Sequence, residues 1–342
     1  MRTTKARKSD GSTDAVKSTY EKAWSATRDR LETWIARDEH ISTILARMGR
    51  LSFPGHRENF WRKQPTASSL GRRVLEAHDV DSVDDANPYY PAVIDGRYSV
   101  GSAFNAMQYL GGTTRPEVNV VLELGSGWSA NLFGLYLFLG NARSHSIRYV
   151  GAEFTDAGRE CGELLAKHDG RIDYTAVAFD WTKPDLSFLG ELPGPVNVLA
   201  FSHHSIEQVE RIDPDVYAQL ARYADSARVV HCEPVGWQRD PELVRRRLDN
   251  DRDFFHRIAR DLGLSRDGTR VPRTKYDVTT TEAQLRGAAW WSWNRRYNLD
   301  LLTHVDQVDL LRVRRTLFDY GSMSNPFNPS TLVDLDVRTG QP

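Results

Sequence analysis

Five continuous apolar runs in the middle of the chain, separated by longer and more polar stretches, constrain the fold most. They are residues 118–124, 147–153, 172–179, 196–201 and 227–232. Runs of this kind are typical of strands that are buried on both faces of a sheet. Helical patterns lie between several of them, at residues 130–139, 156–167 and 214–223. Strands that alternate with helices predict an α/β fold with a parallel sheet and right-handed crossovers.

The flanking segments differ from this central region. Apolar residues from Tyr20 to Met48 recur every three, four or seven positions, which predicts helix. After the fifth run come a charged helical stretch at residues 241–262, a Trp-rich segment at residues 286–293, and two late strand candidates. We expect a disordered tail (1–19), a helical N-terminal region that caps the sheet or forms a homodimer surface (20–110), and an α/β domain (111–342) with a helical insertion at about 238–285.

The composition excludes several classes of protein. The 342 residues include 45 Lys+Arg and 46 Asp+Glu, so a net charge of −1 argues against a polycation that coats nucleic acid. Cys161 and Cys232 have no thiol or imidazole at zinc-ligand spacing, so we predict no metal site and a reducing cytoplasm. The longest apolar stretch, residues 132–139, is far shorter than the roughly 20 residues that span a bilayer. We therefore expect no membrane association.

The turn after the first apolar run carries the strongest functional signal. Gly125 and Gly127 lie between a buried strand and a helix start, where bare backbone can approach a ligand and helical amides can donate hydrogen bonds. Glu153 ends the next strand, a position from which a carboxylate can accept hydrogen bonds from ribose hydroxyls. A dinucleotide fold prefers glycine where this chain has Ala130, although alanine is sometimes accepted. A nucleotide-binding protein or dinucleotide oxidoreductase therefore stays as the alternative class.

The sequence Glu123-Leu-Gly-Ser-Gly127 resembles motif I of class I methyltransferases that use S-adenosylmethionine, and the resemblance extends over residues 118–237. It implies a Rossmann-like seven-stranded methyltransferase sheet, closed by the two late strands (310–319 and 330–337) as an antiparallel hairpin, with S-adenosylhomocysteine as product. The chain departs from the commoner Gly-x-Gly-x-Gly pattern at Ser129. By this resemblance, the cofactor contacts would be Glu123, Gly125, Ser126, Gly127, Glu153, Phe154, Asp180, Trp181 and Ser202.

The resemblance also implies individual roles for these residues. Glu123 and the two glycines would line the methionine moiety, and Glu153 would hold the ribose. Asp180 would face the adenine amine, with Trp181 stacking nearby.

A cluster of imidazoles, carboxylates and hydroxyls follows the fourth apolar run and should face the transferred methyl group. Glu207 and Glu210, supported by Glu233, could bind a guanidinium, which is similar in logic to the paired glutamates of arginine methyltransferases. His203 or His204 could instead deprotonate a hydroxyl, an arrangement that resembles sugar O-methyltransferases of natural-product pathways. We favour a guanidinium nitrogen of arginine or an arginine-like compound, because several nearby carboxylates suit a cation.

We expect a small-molecule acceptor, because the N-terminal region and the insertion can cover the carboxyl edge of the sheet. The predicted acceptor pocket adds Glu233, Ser202, Trp293, Arg295 and Tyr98. Tryptophans at helical spacing are more often core residues, which is the alternative for Trp293. Five arginines within residues 245–257 are read as a solvated helix face, with contact to RNA as the sharper alternative.

Overall fold

The computed structural model of the chain describes residues 13–52, 118–144, 146–262, 281–320 and 330–340. Tyr98 and most of the predicted N-terminal region after residue 52 lie outside these described residues, as does part of the predicted insertion.

Seven strands form a single mixed sheet. They are β1 (Val120–Leu124), β2 (Arg148–Glu153), β3 (Tyr174–Ala178), β4 (Asn197–His203), β5 (Ser226–Glu233), β6 (Leu311–Tyr320) and β7 (Ser330–Val337). Their order is β3-β2-β1-β4-β5-β7-β6; β1 to β5 are parallel, and β7 runs antiparallel between β5 and β6. A dinucleotide-binding sheet has the order 3-2-1-4-5-6. The predicted seven-stranded methyltransferase sheet with its closing hairpin is therefore confirmed.

Helices cover both faces of this sheet. They are α1 (Thr13–Ile35), α2 (Ile41–Ser52), α3 (Ala130–Ser144), α4 (Asp156–Asp169), α5 (Asp215–Tyr223), α6 (Pro241–Leu248), α7 (Arg252–Asp261), α8 (Thr281–Arg295) and α9 (Leu301–Gln307). Alternate residues of β1 enter two different cores: Leu122 packs with Leu220 of α5, whereas Val121 packs with Leu135 of α3. Burial on both faces explains why the strands read as continuous apolar runs. No helix of the described residues has the length and apolarity needed to cross a membrane.

The described part of the predicted helical N-terminal region consists of the two helices α1 and α2. The helix α1 begins at Thr13, so residues 13–19, expected in a disordered tail, are helical. Further along α1, the Glu21 carboxylate joins this helix to α4 by accepting hydrogen bonds from the amides of Asp156 and Ala157, at 3.0 Å each. After α1 the chain turns at Asp38, whose φ is 54°.

The apolar stripe of α1 and α2 is buried within the chain. Leu31, Ile41 and Ile44 pack against Phe133 of α3 and Leu165 of α4. These helices therefore cap α3 and α4, and their apolar face no longer argues for a homodimer.

The segment between β5 and β6 has a small core of its own. Trp237, Phe255 and Trp290 bring α6, α7 and α8 together. The helix expected over residues 241–262 is broken at Asn250, where φ is 50°, and Asp251 caps the start of α7 by accepting from the amide of Phe254.

The arginines of α6 are engaged by carboxylates of the same chain. Arg245 and Arg246 both pair with Glu242, and the buried Arg247 pairs with Glu210. These pairs agree with the prediction of a charged helix face, and contact with RNA stays an untested alternative.

Candidate active site

The glycine turn after β1 contacts the loop after β4. At Gly125, φ is 77°, which an L-residue rarely adopts, and a Cβ added there would collide with the side chain of Ser205. The hydroxyl of Ser205 donates to the carbonyl of Leu124 at 2.8 Å and accepts from the indole of Trp181 at 3.3 Å. The absence of a side chain at Gly125 thus allows the ends of β1 and β4 to meet.

The acidic residue of the turn is fully buried. Oε1 of Glu123 accepts from Nδ2 of Asn131 at 2.6 Å, while Oε2 has no hydrogen bond from the described residues. Burial raises the pKa of Glu123 to about 8, although the Asn131 bond lowers it. An unsatisfied buried oxygen of this kind is costly unless a ligand pairs with it.

Glu153, at the end of β2, braces the same turn. Oε2 accepts from the amide of Gly127 at 2.8 Å, and Oε1 accepts from the amide and hydroxyl of Thr155 at 3.0 and 2.6 Å. Each carboxylate oxygen has two acceptor positions, so Oε2 retains one for a further donor.

The other predicted cofactor residues have different environments. Asp180 is half-buried; its Oδ1 accepts from the amide and hydroxyl of Thr182, both at 2.8 Å. Trp181 is 5% exposed, packs edge-on against Phe179, and donates to Ser205 beside the glycine turn; its stacking near adenine stays a prediction. The ring of Phe154 faces Nζ of Lys17 on α1, 5.1 Å from its centroid.

The helix α1 brings two aromatic residues to the site that the sequence analysis did not assign to it. A Cβ added at Gly127 would lie 2.9 Å from Trp24, so this indole covers the glycine turn. Burial raises the pKa of the Tyr20 hydroxyl well above its usual range, and Tyr297, Glu207 and Glu153 raise it further. The apolar periodicity identified Trp24 as an inward-facing residue but did not indicate which element it would meet.

Glu233, at the end of β5, anchors the β4 loop (residues 204–210). Its carboxylate is inaccessible to solvent and accepts from the amides of Ser205 and Glu207, at 3.1 and 3.2 Å. Burial raises the pKa of Glu233 to about 7. The predicted acceptor-binding carboxylate is thus engaged by backbone amides.

The two histidines after β4 lie side by side, with ring centroids 4.7 Å apart. Nε2 of His204 bonds the hydroxyl of Ser330 at 2.8 Å, and Nδ1 faces Oε1 of the buried Glu207 at 3.4 Å. Burial, together with His204, lowers the pKa of His203 well below its usual range. This environment favours the neutral form of the His203 imidazole.

Glu210 differs from Glu207 in position and partner. Its side chain is 46% exposed, and Oε1 accepts from the guanidinium of Arg247 at 2.9 Å. The three carboxylates expected to surround a guanidinium thus have different partners. Glu210 binds a guanidinium of the chain, and Glu233 accepts from backbone amides. Glu207 accepts from the side-chain amide of Gln208 at 2.7 Å and faces His204.

Ser202 faces the core. Its hydroxyl bonds Nδ1 of His231 at 2.9 Å, and Nε2 of His231 bonds the hydroxyl of Tyr217 at 2.9 Å. Ser202 is inaccessible to solvent, and burial lowers the pKa of His231 to about 3. The predicted cofactor and acceptor contacts of Ser202 are therefore replaced by an internal hydrogen-bond chain beneath the site.

The predicted pocket residues Trp293 and Arg295, at the end of α8, have different environments. Trp293 stacks on Phe255 at a centroid distance of 5.1 Å and donates to Asn250 at 2.8 Å, so it joins α8 to α7. Arg295 lies over the ring of Trp291, 5.1 Å from its centroid. Burial and the charge of Glu207 raise the pKa of the Tyr297 hydroxyl, whereas the charge of Arg295 acts in the opposite direction and lowers this pKa. Glu207 and Arg295 thus both lie within electrostatic range of the Tyr297 hydroxyl.

Within the described ranges, no three His, Cys, Asp or Glu side chains gather as a metal ion would require.

Comparison with known proteins gives only remote similarity. No family model and no curated protein matches the chain. Among solved structures, it is similar to geranyl diphosphate C-methyltransferase from Streptomyces coelicolor A3(2), with 13% identity, a TM-score of 0.39, and coverage of 83% of this chain and 98% of that one. A SAM-dependent methyltransferase from Aquifex aeolicus is 12% identical, with a TM-score of 0.37 and coverage of 78% of this chain and 98% of that one. The CMeT domain of the citrinin polyketide synthase is 9% identical, with a TM-score of 0.41 and coverage of 89% of this chain and 70% of that one.

The strand order, the antiparallel β7 and the glycine turn at the end of β1 define the fold class. The chain has the class I methyltransferase fold, with a two-helix cap before the sheet and a helical segment between β5 and β6.

Proposed function

We propose that the chain transfers a methyl group from S-adenosylmethionine to a hydroxyl oxygen of a small polar compound. The observation that carries the proposal is the meeting of the glycine turn, Glu123 and Glu153 with an imidazole pair at one edge of a methyltransferase sheet.

The residues at this edge suit the cofactor. The unpaired Oε2 of Glu123 offers an acceptor to the ammonium of the methionine moiety. Oε2 of Glu153 retains an acceptor position for a ribose hydroxyl, and Asp180, half-buried at the end of β3, suits the adenine amine. Trp24 covers the turn and would limit the access of water.

The environment of the carboxylates favours an oxygen acceptor over the guanidinium nitrogen expected from the sequence. A guanidinium is best held by paired carboxylates, yet Glu210 is occupied by Arg247 and Glu233 by two amides. Arg295 acts on the Tyr297 hydroxyl, as Glu207 does, so a positive charge already lies close to this hydroxyl and disfavours a second cation there. Glu207 alone supports the guanidinium alternative.

The chemistry assigned to the chain's own residues is proton transfer and orientation. When bound, S-adenosylmethionine supplies an electrophilic methyl group whose sulfur leaves as a neutral thioether. His203 accepts the proton of the acceptor hydroxyl as its oxygen bonds to the methyl carbon. Glu207 and Ser330 hold His204 through its two ring nitrogens, and His204 supports the edge of the His203 ring.

Release of S-adenosylhomocysteine, measured with a panel of sugars and phenols and a panel of guanidino compounds, tests the proposal. We expect turnover with hydroxyl acceptors, a loss of about 100-fold or more in kcat for His203→Gln, and a change of about twofold or less for Glu210→Gln. Turnover restricted to guanidino compounds, with Glu210→Gln inactive and His203→Gln active, would contradict the oxygen acceptor and restore the guanidinium interpretation.

A further inference from the structure

The third small residue of the glycine turn adopts an unusual backbone conformation. Ser129 stands where the commoner motif has its last glycine, and its φ is 63°. A residue with a Cβ pays a steric cost in this left-handed region, which glycine does not. Ser129 is also inaccessible to solvent, so water cannot satisfy its hydroxyl. Interactions within the protein must therefore hold it.

Hydroxyl groups supply those interactions. The hydroxyl of Ser129 bonds the hydroxyl of Tyr174, on β3, at 2.7 Å, and it donates to the hydroxyl of Ser126 at 3.3 Å. The amide of Ser129 donates to the carbonyl of Ser126 at 2.8 Å. The Tyr174 ring is fixed in turn by Phe133 of α3, at a centroid distance of 5.3 Å.

Two glycines on other elements make room for this cluster. A Cβ added at Gly151 of β2 or at Gly162 of α4 would collide with the Tyr174 hydroxyl. The same Cβ at Gly151 would lie 2.7 Å from the Ser129 hydroxyl. Residues of β2, β3 and α4 thus together accommodate the contact between the Tyr174 hydroxyl and Ser129 of the turn.

We propose that Tyr174 is a positioning residue for the cofactor turn, and that its hydroxyl holds Ser129 in the left-handed conformation that a glycine would adopt unaided. Tyr174 acts through Ser129 and touches neither the acceptor nor the reacting atoms. The inference rests on the proposed function for the identity of the ligand that the turn binds.

Four variants test this coupling: Tyr174→Phe, Ser129→Ala, Ser129→Gly, and the Ser129→Gly/Tyr174→Phe pair. The probe is S-adenosylhomocysteine, titrated calorimetrically into the full chain. Ser129→Ala keeps the Cβ but loses the hydroxyl, whereas Ser129→Gly removes both the contact and the need for it.

Tyr174→Phe loses one hydrogen bond and should raise the Kd by about three- to tenfold. Ser129→Ala loses this bond and the longer one to Ser126, so it should raise the Kd by at least as much. Ser129→Gly should stay within about twofold of the unsubstituted chain, and adding Tyr174→Phe to it should change the Kd by less than about twofold. In turnover, KM for S-adenosylmethionine should rise in Tyr174→Phe while kcat is retained.

Two results would overturn the inference: an equal loss from Tyr174→Phe in both backgrounds, or Ser129→Gly binding as weakly as Ser129→Ala. If Tyr174→Phe fails to fold, the comparison of Ser129→Ala with Ser129→Gly decides.

A chain that binds no S-adenosylhomocysteine would instead contradict the proposed function. In that case the urea midpoints of the ligand-free variants decide the inference. Tyr174→Phe should lower the midpoint of the chain that retains Ser129 and leave the midpoint of the Ser129→Gly chain unchanged. Equal shifts of the midpoint in both backgrounds would overturn the inference.

Discussion

Gly125→Ala tests whether the β1 turn and the β4 loop form one packed unit. A methyl group at this position meets two penalties. The left-handed φ of 77° costs a residue with a Cβ about 1–2 kcal/mol. The new methyl group also collides with Ser205, whose hydroxyl bonds to Leu124 and Trp181 are worth about 0.5–1.5 kcal/mol each. The expected loss of unfolding free energy is therefore about 2–5 kcal/mol.

Gly170→Ala is the matched control. Gly170, the C-cap of α4, has a φ of 68°, and an added Cβ would have nothing within 4 Å. Its loss should be the backbone cost alone, about 1–2 kcal/mol.

Urea unfolding gives the stabilities, and calorimetric titration gives the affinity for S-adenosylhomocysteine. Gly125→Ala should weaken binding by more than about tenfold, because the displaced loop belongs to the site, and Gly170→Ala should leave it unchanged. Equal losses of stability with equal affinities would refute the packing argument.

Two further predictions concern pH and α1. Burial raises the pKa of Glu123 to about 8 and that of Glu233 to about 7, from an ordinary 4.5, so the folded chain keeps protons that the unfolded chain releases. The linked stability is fully present below about pH 4.5 and is lost progressively as pH rises through the folded pKa values of about 7 and about 8. Urea midpoints that increase between about pH 6 and about pH 8.5 would contradict this. Glu21→Ala removes the hydrogen-bond acceptor at the start of α4 and should lower the free energy of unfolding in urea by about 1 kcal/mol. The control Arg30→Ala, at an exposed position of α1, should lower it by less than about 0.5 kcal/mol. Equal losses would show that the Glu21 hydrogen bonds do not stabilise the chain.

The sheet could be predicted from the sequence because each buried strand is a local pattern. Burial on both faces makes β1 a continuous apolar run, and Glu153 could be placed at the edge because parallel strands end on the same side. The break at Asn250 was also readable in principle, since Asp251 is a typical N-cap residue. Strand alternation could have placed Ser202 on the same face as Val198 and Ala200, toward α5.

The partners of the site residues could not be read in this way, because they depend on contacts between distant segments. Nothing local indicates that Arg247 would bind Glu210, or that Trp24 would cover Gly127. The prediction that three clustered carboxylates bind a cation did not take into account that Glu210 pairs with Arg247 or that Glu233 accepts from backbone amides. Tyr174 was likewise read only as a strand residue, although its hydroxyl meets the turn across two other elements.

Calorimetric titration of the chain with S-adenosylhomocysteine and, separately, with NAD tests the central claim most directly. The account predicts saturable binding of S-adenosylhomocysteine that is weakened by Glu153→Ala, with no binding of NAD. Binding of NAD without binding of S-adenosylhomocysteine would contradict it.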